Sequence, residues 1–291
     1  MKIAIIPNLT RKDAYAVTCD ICRKLDMMGV GYMFSNDEYE NFKDTAASFR
    51  SEEEMISECD TVIAVGGDGS IIYAAKKAVA FSKPVLGINA GRLAFMAGLE
   101  RHELDLLENL KSGNYLTDSR MLLKADIVKD GKTVDSGFCI NDAGISRAGD
   151  MRVLGLNVYD GKSFLGHYLG DGIIAATPTG STAYSLSAGG PVVDPRIDSI
   201  LLTPVCSHSF FARPLVLKSD VRLTVKKDTT GAMYLSRDGE TPIAVPDGGE
   251  VRIEKAARSA LFIRIKTDSF MDILRKKLEY GENFTQGGER A

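Results

Sequence analysis

The chain has 291 residues, of which 44% are hydrophobic and 26% charged, a composition typical of a globular protein with one large domain or two ordinary ones. Its net charge of −3 offers no bulk electrostatic attraction for nucleic acid or an anionic membrane, and it has no apolar run of the roughly 18 residues that a membrane span needs. Five cysteines, an odd and low count, favour a reducing compartment over a disulfide framework, so we expect a cytoplasmic protein with neither nucleic acid nor membrane as a partner.

Residues 1–116 alternate strand-like and helix-like segments. The strand-like segments are the apolar runs KIAIIPN, TVIAV and PVLGIN, and the helix-like segments are residues 12–28, SIIYAAKKAVA and ERHELDLLENLKSG. The first of these helices has apolar residues at helical spacing and ends near Gly29. Alternation of this kind predicts a Rossmann-like α/β domain, in which helices cover a parallel sheet.

A glycine-rich turn, Gly66-Gly67-Asp68-Gly69-Ser70, joins the strand TVIAV to the helix that follows. Glycines let a ligand approach the backbone closely, and open α/β sheets bind ligands at this end of their strands. A carboxylate repels phosphate, so Asp68 suits contact with a hydroxyl or a metal better than the cradling of phosphate alone. The alternative is a plain turn in which the aspartate caps the next helix.

After about residue 117 the pattern changes to alternating polar and apolar residues. Asp-Gly pairs at 130, 160, 238 and 247 lie between such runs and are strong signals of hairpin turns. We predict an antiparallel β-sandwich domain over residues 117–266. The last segment, 267–291, contains DSFMDILRKKLEYG and is predicted to be a helix that returns to the first domain.

Three polar features of the second part are candidates for ligand contact. The segment TPTGSTAYSLSAGG, residues 177–190, is unlike a strand, and its hydroxyls could form a hydrogen-bonding wall for a polar, aromatic ligand. It could equally be a solvated loop or a capped short helix. Asp171 lies just before it, and Asn141-Asp142 follows an apolar strand, where the pair is either a ligand contact or a simple turn or bulge.

Taken together, these patches resemble the NAD kinase family, which carries a GGDG motif, an Asn-Glu or Asn-Asp pair and a TPTGSTAYxLSAGGP segment in this order. Here they stand as Gly66–Gly69, Asn141-Asp142 and Thr177–Pro191. NAGRLAFMA, SHSFFARPLVL and RDGET resemble further segments of the family. The resemblance implies an α/β domain, a β-sandwich and an active site between them. It also implies transfer of the γ-phosphoryl group of ATP, or of polyphosphate, to the adenosine 2′-hydroxyl of NAD to give NADP.

The resemblance also assigns roles to residues. It implies that Asp68 accepts the hydroxyl proton, that Asp142 holds the ribose diol, Asn141 the adenosine half, and that Asp171 accepts from an amide of the ligand. The phosphate loop would be Gly66, Gly67 and Ser70, and the other substrate-binding residues Gly69, Arg152, Thr179, Thr182, Ala183, Tyr184 and Ser187. Mg²⁺ or another divalent metal would arrive with the nucleotide, without a site built by protein ligands alone. The family implies a homodimer or homotetramer.

Some positions depart from the family's pattern, and two other functions stay open. Asp142 replaces the commoner Glu, Ala94 replaces a Gly, Leu169 stands where many members have Arg, and Glu240 stands where Gln is usual. One alternative is a related GGDG phosphotransferase that acts on another hydroxyl, such as that of a lipid. The other is a non-catalytic NAD(P)-binding sensor that kept the pocket.

Overall fold

The computed structural model describes residues 1–91, 94–147, 149, 152–208 and 212–276, and the chain divides into two units. The first comprises Met1–Ser119 and the chain from Ala260 onward, and the second comprises Arg120–Ser259. The long last strand, Glu250–Arg264, starts in the second unit and ends in the first. The chain therefore re-enters the first unit within a strand, a few residues before the position 266 expected from the sequence.

The first unit is the α/β part of the chain, and its predicted parallel sheet is confirmed. Its elements in chain order are β1 Lys2–Pro7, α1 Ala14–Met28, β2 Gly31–Ser35, α2 Tyr39–Phe42, β3 Ser48–Arg50, α3 Glu52–Glu58, β4 Thr61–Gly66, α4 Asp68–Val79, β5 Val85–Asn89, β6 Leu99–Glu100 and α5 Glu108–Ser112. The parallel strands lie in the order β5-β4-β1-β2-β3. The carboxyl ends of β1 and β4 are therefore neighbours, which places the loops after them side by side.

The core of this unit follows from the apolar pattern of its elements. Side chains at Ile21 and Leu25 of α1 are fully buried against the sheet, and Gly29 ends that helix with a left-handed φ of +64°. The helix predicted over residues 100–113 is wrong at its start. Leu99–Glu100 pair with β5 as a strand, so the chain becomes helical only after Glu103, as a 3₁₀ turn and then α5.

The C-terminal helix predicted over 267–291 is described only at its beginning. Residues 270–276 are helical. Ser269 starts this helix: its hydroxyl accepts from the Asp272 N–H at 3.2 Å, and the Asp272 carboxylate accepts from the Ser269 N–H at 3.0 Å. Residues 277–291 lie outside the described part of the chain.

The second unit consists of two antiparallel sheets and confirms the predicted all-β class. Its strands are β7 Leu116–Lys129, β8 Lys132–Cys139, β9 Asp142–Arg147, β10 Leu154–Asp160, β11 Ser163–Gly170, β12 Gly172–Ala176, β13 Ser199–Val205, β14 Leu215–Lys218, β15 Leu223–Lys227, β16 Met233–Arg237, β17 Ile243–Val245 and β18 Glu250–Arg264. Strand β7 begins in the first unit, and β18 ends there. One sheet has the order β14-β13-β12-β9-β16-β17. The other contains β11-β10-β15-β18, and β7 pairs with both β8 and β18. Inward-facing side chains of both sheets form one apolar core.

Two Asp-Gly pairs have positive φ at both residues, as in type I′ hairpin turns, and their φ angles are nearly the same. The φ angles are +51° and +75° at Asp130-Gly131 and +52° and +74° at Asp238-Gly239. The turn at Asp247-Gly248 is different from the prediction, because β17 pairs with β16 in one sheet and β18 with β15 in the other. It therefore passes the chain between sheets.

Strand β12 explains where the polar segment 177–190 lies. All five residues of β12 are buried, which requires apolar cover on both faces of the sheet. Ile173 faces the central core, whereas Ile174 packs on the other face with Val193. The segment that leads from β12 to Val193 contains a 3₁₀ turn, Thr179–Thr182, and a short helix α6, Tyr184–Ser187. It is thus a packed cover and not a solvated loop.

Candidate active site

The glycine turn between β4 and α4 carries Asp68 between Gly67 and Gly69. At Gly66, with a φ of +156°, an added Cβ would lie 2.4 Å from Ser70 Oγ and 2.7 Å from Ser70 Cβ, so the fold itself excludes a side chain. At Gly67 and Gly69 an added Cβ would meet no described atom within 4 Å. Packing among the described residues therefore does not require these two glycines, and a ligand can approach the backbone there.

Asp68 does not cap the helix that it begins. The N-cap of α4 is Gly67, and no side chain caps the helix there. The carboxylate of Asp68 instead accepts hydrogen bonds from the backbone N–H groups of Phe95, at 3.0 Å, and Met96, at 2.8 Å. The alternative interpretation of Asp68 as a helix cap is therefore wrong, and the carboxylate is held in place by the loop that follows β5.

Two further features fix this end of the first unit. The hydroxyl of Ser70 accepts from the Asn8 side-chain amide at 2.8 Å, which ties the glycine turn to the end of β1. Ala94, at the family's glycine position, is buried and has no positive φ. The loop therefore tolerates a side chain at this position.

A cavity of about 570 Å³ in the second unit brings together five of the predicted binding residues. They are Asn141, Asp142, Asp171, Ala183 and Tyr184. The cavity is also lined by Gly144, Ile145, Ser146, Arg147, Ile173, Ile174, Val205, Ser236, Asp238 and Gly239. Its walls are therefore largely apolar, with carboxylates, one guanidinium and one aromatic ring at defined points, as is usual for a small-molecule site.

Asp142 is the most perturbed carboxyl group of this cavity. It is buried, and burial together with the nearby negative charge of Asp238 raises its pKa to about 7, although a hydrogen bond from the Tyr184 backbone N–H acts in the opposite direction. Near neutral pH the Asp142 carboxyl group is therefore protonated in part of the molecules. It can therefore both donate a hydrogen bond to a ligand hydroxyl and accept one from it.

A second carboxylate of the cavity, Asp171, is paired with a cation. Arg147 Nε donates to Asp171 Oδ1 at 2.7 Å, and this hydrogen bond is the main cause of the lowered pKa of Asp171. Asp171 is thus ionised at neutral pH and can accept from an amide group of a ligand. Asp142 and Asp171 consequently behave in opposite ways, because Asp142 is desolvated and the ionised Asp171 is paired with a cation.

The hydroxyls of the segment 177–190 mostly serve the protein itself. Thr177 donates to the Ile140 carbonyl at 2.6 Å, Ser181 donates to the Pro178 carbonyl at 2.6 Å, and Ser185 pairs with Thr203 at 2.8 Å. The segment therefore does not form the expected wall of hydroxyls. What it offers the cavity is Ala183 and Tyr184, whose side chain is half exposed.

Gly180 shows how closely this segment approaches the start of β9. An added Cβ would lie 2.1 Å from the backbone oxygen of Asn141 and 2.7 Å from its Cα, and backbone atoms cannot rotate away. The Thr177 N–H also donates to the Asn141 carbonyl at 2.8 Å. The segment thus holds the backbone that carries Asn141 and Asp142.

The remaining predicted binding residues of this unit do not line the cavity in the described part of the chain. Thr179 is buried and accepts from Arg120 Nη1 at 3.2 Å, and Thr182 donates to the Thr179 carbonyl at 3.4 Å. Ser187 and Arg152 are exposed. Their assignment to substrate binding stays a prediction.

Sequence reasoning missed Arg147 and the hairpin that carries Asp238 and Gly239. The hairpin has a usable signal, because RDGET resembles the family's D-G-Q turn and its Glu240 departs from the usual Gln, but this signal does not single out Asp238 or Gly239. Arg147, at the end of β9, gave no such signal. Its importance depends on pairing with Asp171 across the neighbouring strand ends, which the sequence does not display.

Neither a metal cluster nor a membrane-spanning helix is found among the described residues. No group of three or more His, Cys, Asp or Glu side chains there is arranged to hold a metal ion. None of the helices in the described ranges is long and apolar enough to cross a membrane.

Two family models match the chain, and together they cover most of it. The ATP-NAD kinase N-terminal domain matches residues 10–112, and the ATP-NAD kinase C-terminal domain matches residues 140–265. A protein of Symbiobacterium thermophilum named NAD kinase is 42% identical over 223 residues, which are 76% of this chain and 79% of that protein. Another NAD kinase, of Acetivibrio thermocellus, is 33% identical over 282 residues, or 96% of this chain and 97% of that protein.

Two solved structures share the fold. Yeast NADH kinase, crystallised with NADH, has a TM-score of 0.85 and 24% identity, and the match covers 100% of this chain and 89% of that one. An NAD kinase from Archaeoglobus fulgidus, in complex with ATP, has a TM-score of 0.75 and 21% identity, with coverage of 96% and 99%. At these identities the likeness shows the fold.

Proposed function

The chain belongs to the ATP-NAD kinase family, and on that premise we propose that it transfers the γ-phosphoryl group of ATP to the adenosine 2′-hydroxyl of NAD, giving NADP. The observation that carries this proposal is the position of Asp68 between two glycines in the turn after β4. Its carboxylate accepts from two backbone N–H groups, at 3.0 and 2.8 Å, and no described atom lies within 4 Å of a Cβ added at Gly67 or Gly69.

For phosphoryl transfer the protein mainly has to position the reactants and neutralise charge. Phosphoryl transfer is accelerated mainly by alignment of donor and acceptor and by neutralisation of the phosphate oxygens. A ribose hydroxyl is a weak acid, so an acceptor for its proton helps as the oxygen bonds to phosphorus. Asp68 is the proton acceptor in this proposal, and the N–H groups of Phe95 and Met96 fix the direction of its oxygens.

The cavity of the second unit is the proposed dinucleotide site. Asp142 bonds the ribose hydroxyls, because a carboxyl group with a pKa of about 7 can serve as donor and as acceptor. Asn141 takes the adenosine half, and the ring of Tyr184 supplies an apolar face. Asp171 accepts from an amide of the ligand, and Arg147 keeps that carboxylate ionised. Thr179 and Thr182 support this site through the packing of their segment.

These residues fit an Mg²⁺ ion that enters bound to the phosphates of the phosphoryl donor. The described residues offer single carboxylates and no cluster of three ligands, so the oxygens around the ion would come mainly from phosphates and water. Bound in this way, the ion would supply neutralisation of the phosphate charge. ATP is the proposed donor, and polyphosphate is the alternative to be tested beside it.

The direct test is formation of NADP by the purified chain. It is incubated with NAD, Mg²⁺ and either ATP or polyphosphate, and NADP is measured with an NADP-specific dehydrogenase. We expect NADP to accumulate with ATP and not in its absence. Binding of NAD without NADP formation would favour a non-catalytic sensor, and phosphorylation of a lipid hydroxyl in place of NAD would favour the related phosphotransferase.

Two expectations accompany the proposal. All five cysteines are free thiols, which supports a reducing compartment, and we place the enzyme in the cytoplasm. The expected homodimer or homotetramer stays a prediction, and light scattering during size-exclusion chromatography measures it.

A further inference from the structure

The carboxylate of Asp238 accepts hydrogen bonds from three successive backbone N–H groups. It accepts from Ile140 at 3.0 Å, from Asn141 at 2.7 Å and from Asp142 at 3.1 Å. Ile140 and Asn141 lie between β8 and β9, so no strand ladder pairs their N–H groups. The backbone that carries two predicted ligand contacts is therefore held by one side chain from a remote hairpin.

The carbonyl groups of the same two residues are held from the other side. Thr177 donates its hydroxyl to the Ile140 carbonyl at 2.6 Å and its N–H to the Asn141 carbonyl at 2.8 Å. Every backbone hydrogen-bonding group of Ile140 and Asn141 thus has a partner. Asp238 binds the N–H groups of this backbone, and Thr177 binds its carbonyl groups. Together they set the direction in which the Asn141 and Asp142 side chains project.

The hairpin that presents Asp238 is itself firmly anchored. The neighbouring Arg237 is buried and donates to the Ala125 carbonyl at 3.0 and 2.8 Å, and it also pairs with the Asp135 carboxylate. The Asp238 N–H donates to the Asp142 carbonyl at 2.9 Å. The φ of +52° at Asp238 is one that Asp and Asn adopt more readily than other side chains. Asp238 therefore has a fixed position relative to Asn141 and Asp142.

We propose that Asp238 is a positioning residue for the dinucleotide, which orients Asn141 and Asp142 toward the ligand. This role rests on the proposed function of the cavity. Asp238 also lines the cavity, so its negative charge faces the same space as Asp142. The other charged side chains among the lining residues of the described chain are Arg147 and Asp171, which form an ion pair with each other. The charge of Asp238 consequently acts on Asp142 and favours its protonated form.

The test compares Asp238→Asn with Asp130→Asn. Both residues begin an Asp-Gly hairpin turn with nearly the same φ, but Asp130 is exposed and lies outside the cavity lining. The substitution at 238 removes the charge and replaces one acceptor oxygen by a donor that faces N–H groups. We expect the KM for NAD to rise about 10-fold or more, since each hydrogen bond to a charged acceptor is worth enough for that change. The KM for ATP and the KM values of Asp130→Asn should stay within about twofold of the parent.

A double-mutant cycle with Asp142→Asn gives a readout that a merely structural role would not move. If Asp238 acts through Asp142, the combined effect on the KM for NAD is clearly less than the product of the single effects, because both changes act on one contact. In addition, the pH dependence of the KM for NAD should shift to lower pH in Asp238→Asn, because Asp142 loses a neighbouring negative charge.

Several outcomes would overturn the proposal. One is a KM for NAD within twofold of the parent, and another is full multiplicativity in the cycle. If Asp238→Asn does not fold, Asp238→Ser, which keeps a short acceptor, takes its place. Unfolding of both would assign Asp238 to the fold alone. Calorimetric measurement of NAD binding separates this inference from the proposed function. If the parent binds NAD without turnover, the kinase is refuted, but the NAD dissociation constants of the parent and the Asp238 variant can still be compared. If the parent does not bind NAD, both are refuted.

Discussion

Gly69→Ala separates the two reasons for which a chain uses glycine. Gly69 lies in the first turn of α4, has no positive φ, and leaves open space where its Cβ would be. Alanine is more favourable than glycine in a helix by up to about 1 kcal/mol, and it also restricts the unfolded chain. The structure therefore predicts that this variant is more stable than the parent by about 0.5–1 kcal/mol.

The same methyl group should nevertheless impair catalysis. It projects into the space beside Gly69, next to Asp68 in the chain, that the proposal gives to the ligands, and forced contacts of this kind cost about 1–3 kcal/mol, or roughly 5- to 150-fold in kcat/KM. Thermal unfolding followed by fluorescence should show a Tm higher by about 1–4 °C, and the NADP-forming assay should show the loss. A lower Tm would refute the packing argument, and unchanged kcat/KM would refute the assignment of this space to a ligand.

Two further variants test the second unit. Gly180→Ala forces a Cβ against the Asn141 backbone and should destabilise the chain by about 1–3 kcal/mol and weaken NAD binding. Gly144→Ala lies within β9 and has no described atom within 4 Å of its added Cβ, so its Tm should stay the same or rise slightly; a Tm of Gly180→Ala no lower than that of Gly144→Ala would contradict this. Asp142 has a folded pKa of about 7 against an ordinary value of 3.8, so its contribution to stability is full below that lower value and is lost as the pH rises to about 7. Asp142→Asn lacks this titration, so its Tm relative to the parent should be higher at pH 8 than at pH 5, and a constant difference would contradict the pKa.

The type of chemistry was predictable from the sequence because it depends on residues that are adjacent in the chain. Three glycines around one acid single out Asp68 as a carboxylate at a strand end, and the alternation of segments predicts the parallel sheet that carries it. What holds Asp68 was not predictable. Its partners, Phe95 and Met96, lie in a loop that only the folded chain brings to the glycine turn.

The internal use of polar groups was equally hidden. The sequence shows many hydroxyls in residues 177–190, but whether they face a ligand depends on which carbonyls come near them. The Thr177 hydroxyl donates to the Ile140 carbonyl, and the Ser185 and Thr203 hydroxyls are hydrogen-bonded to each other, so these hydroxyls already have partners within the protein. In the same way Asp238 appears in the sequence as an ordinary hairpin aspartate, and only strand pairing between β9 and β16 places it against Asn141.

The most direct test of the central claim is the rate of phosphoryl transfer by Asp68→Asn at saturating NAD and ATP. Asparagine keeps the shape and one acceptor oxygen, but its NH2 group faces one of the two backbone N–H groups of Phe95 and Met96. Thermal unfolding and calorimetry therefore first check that the variant folds and binds NAD. We expect kcat to fall by about 10²- to 10⁴-fold, the usual worth of a positioned proton acceptor. A folded, NAD-binding variant whose kcat stays within about threefold of the parent would contradict the claim that this carboxylate takes the hydroxyl proton.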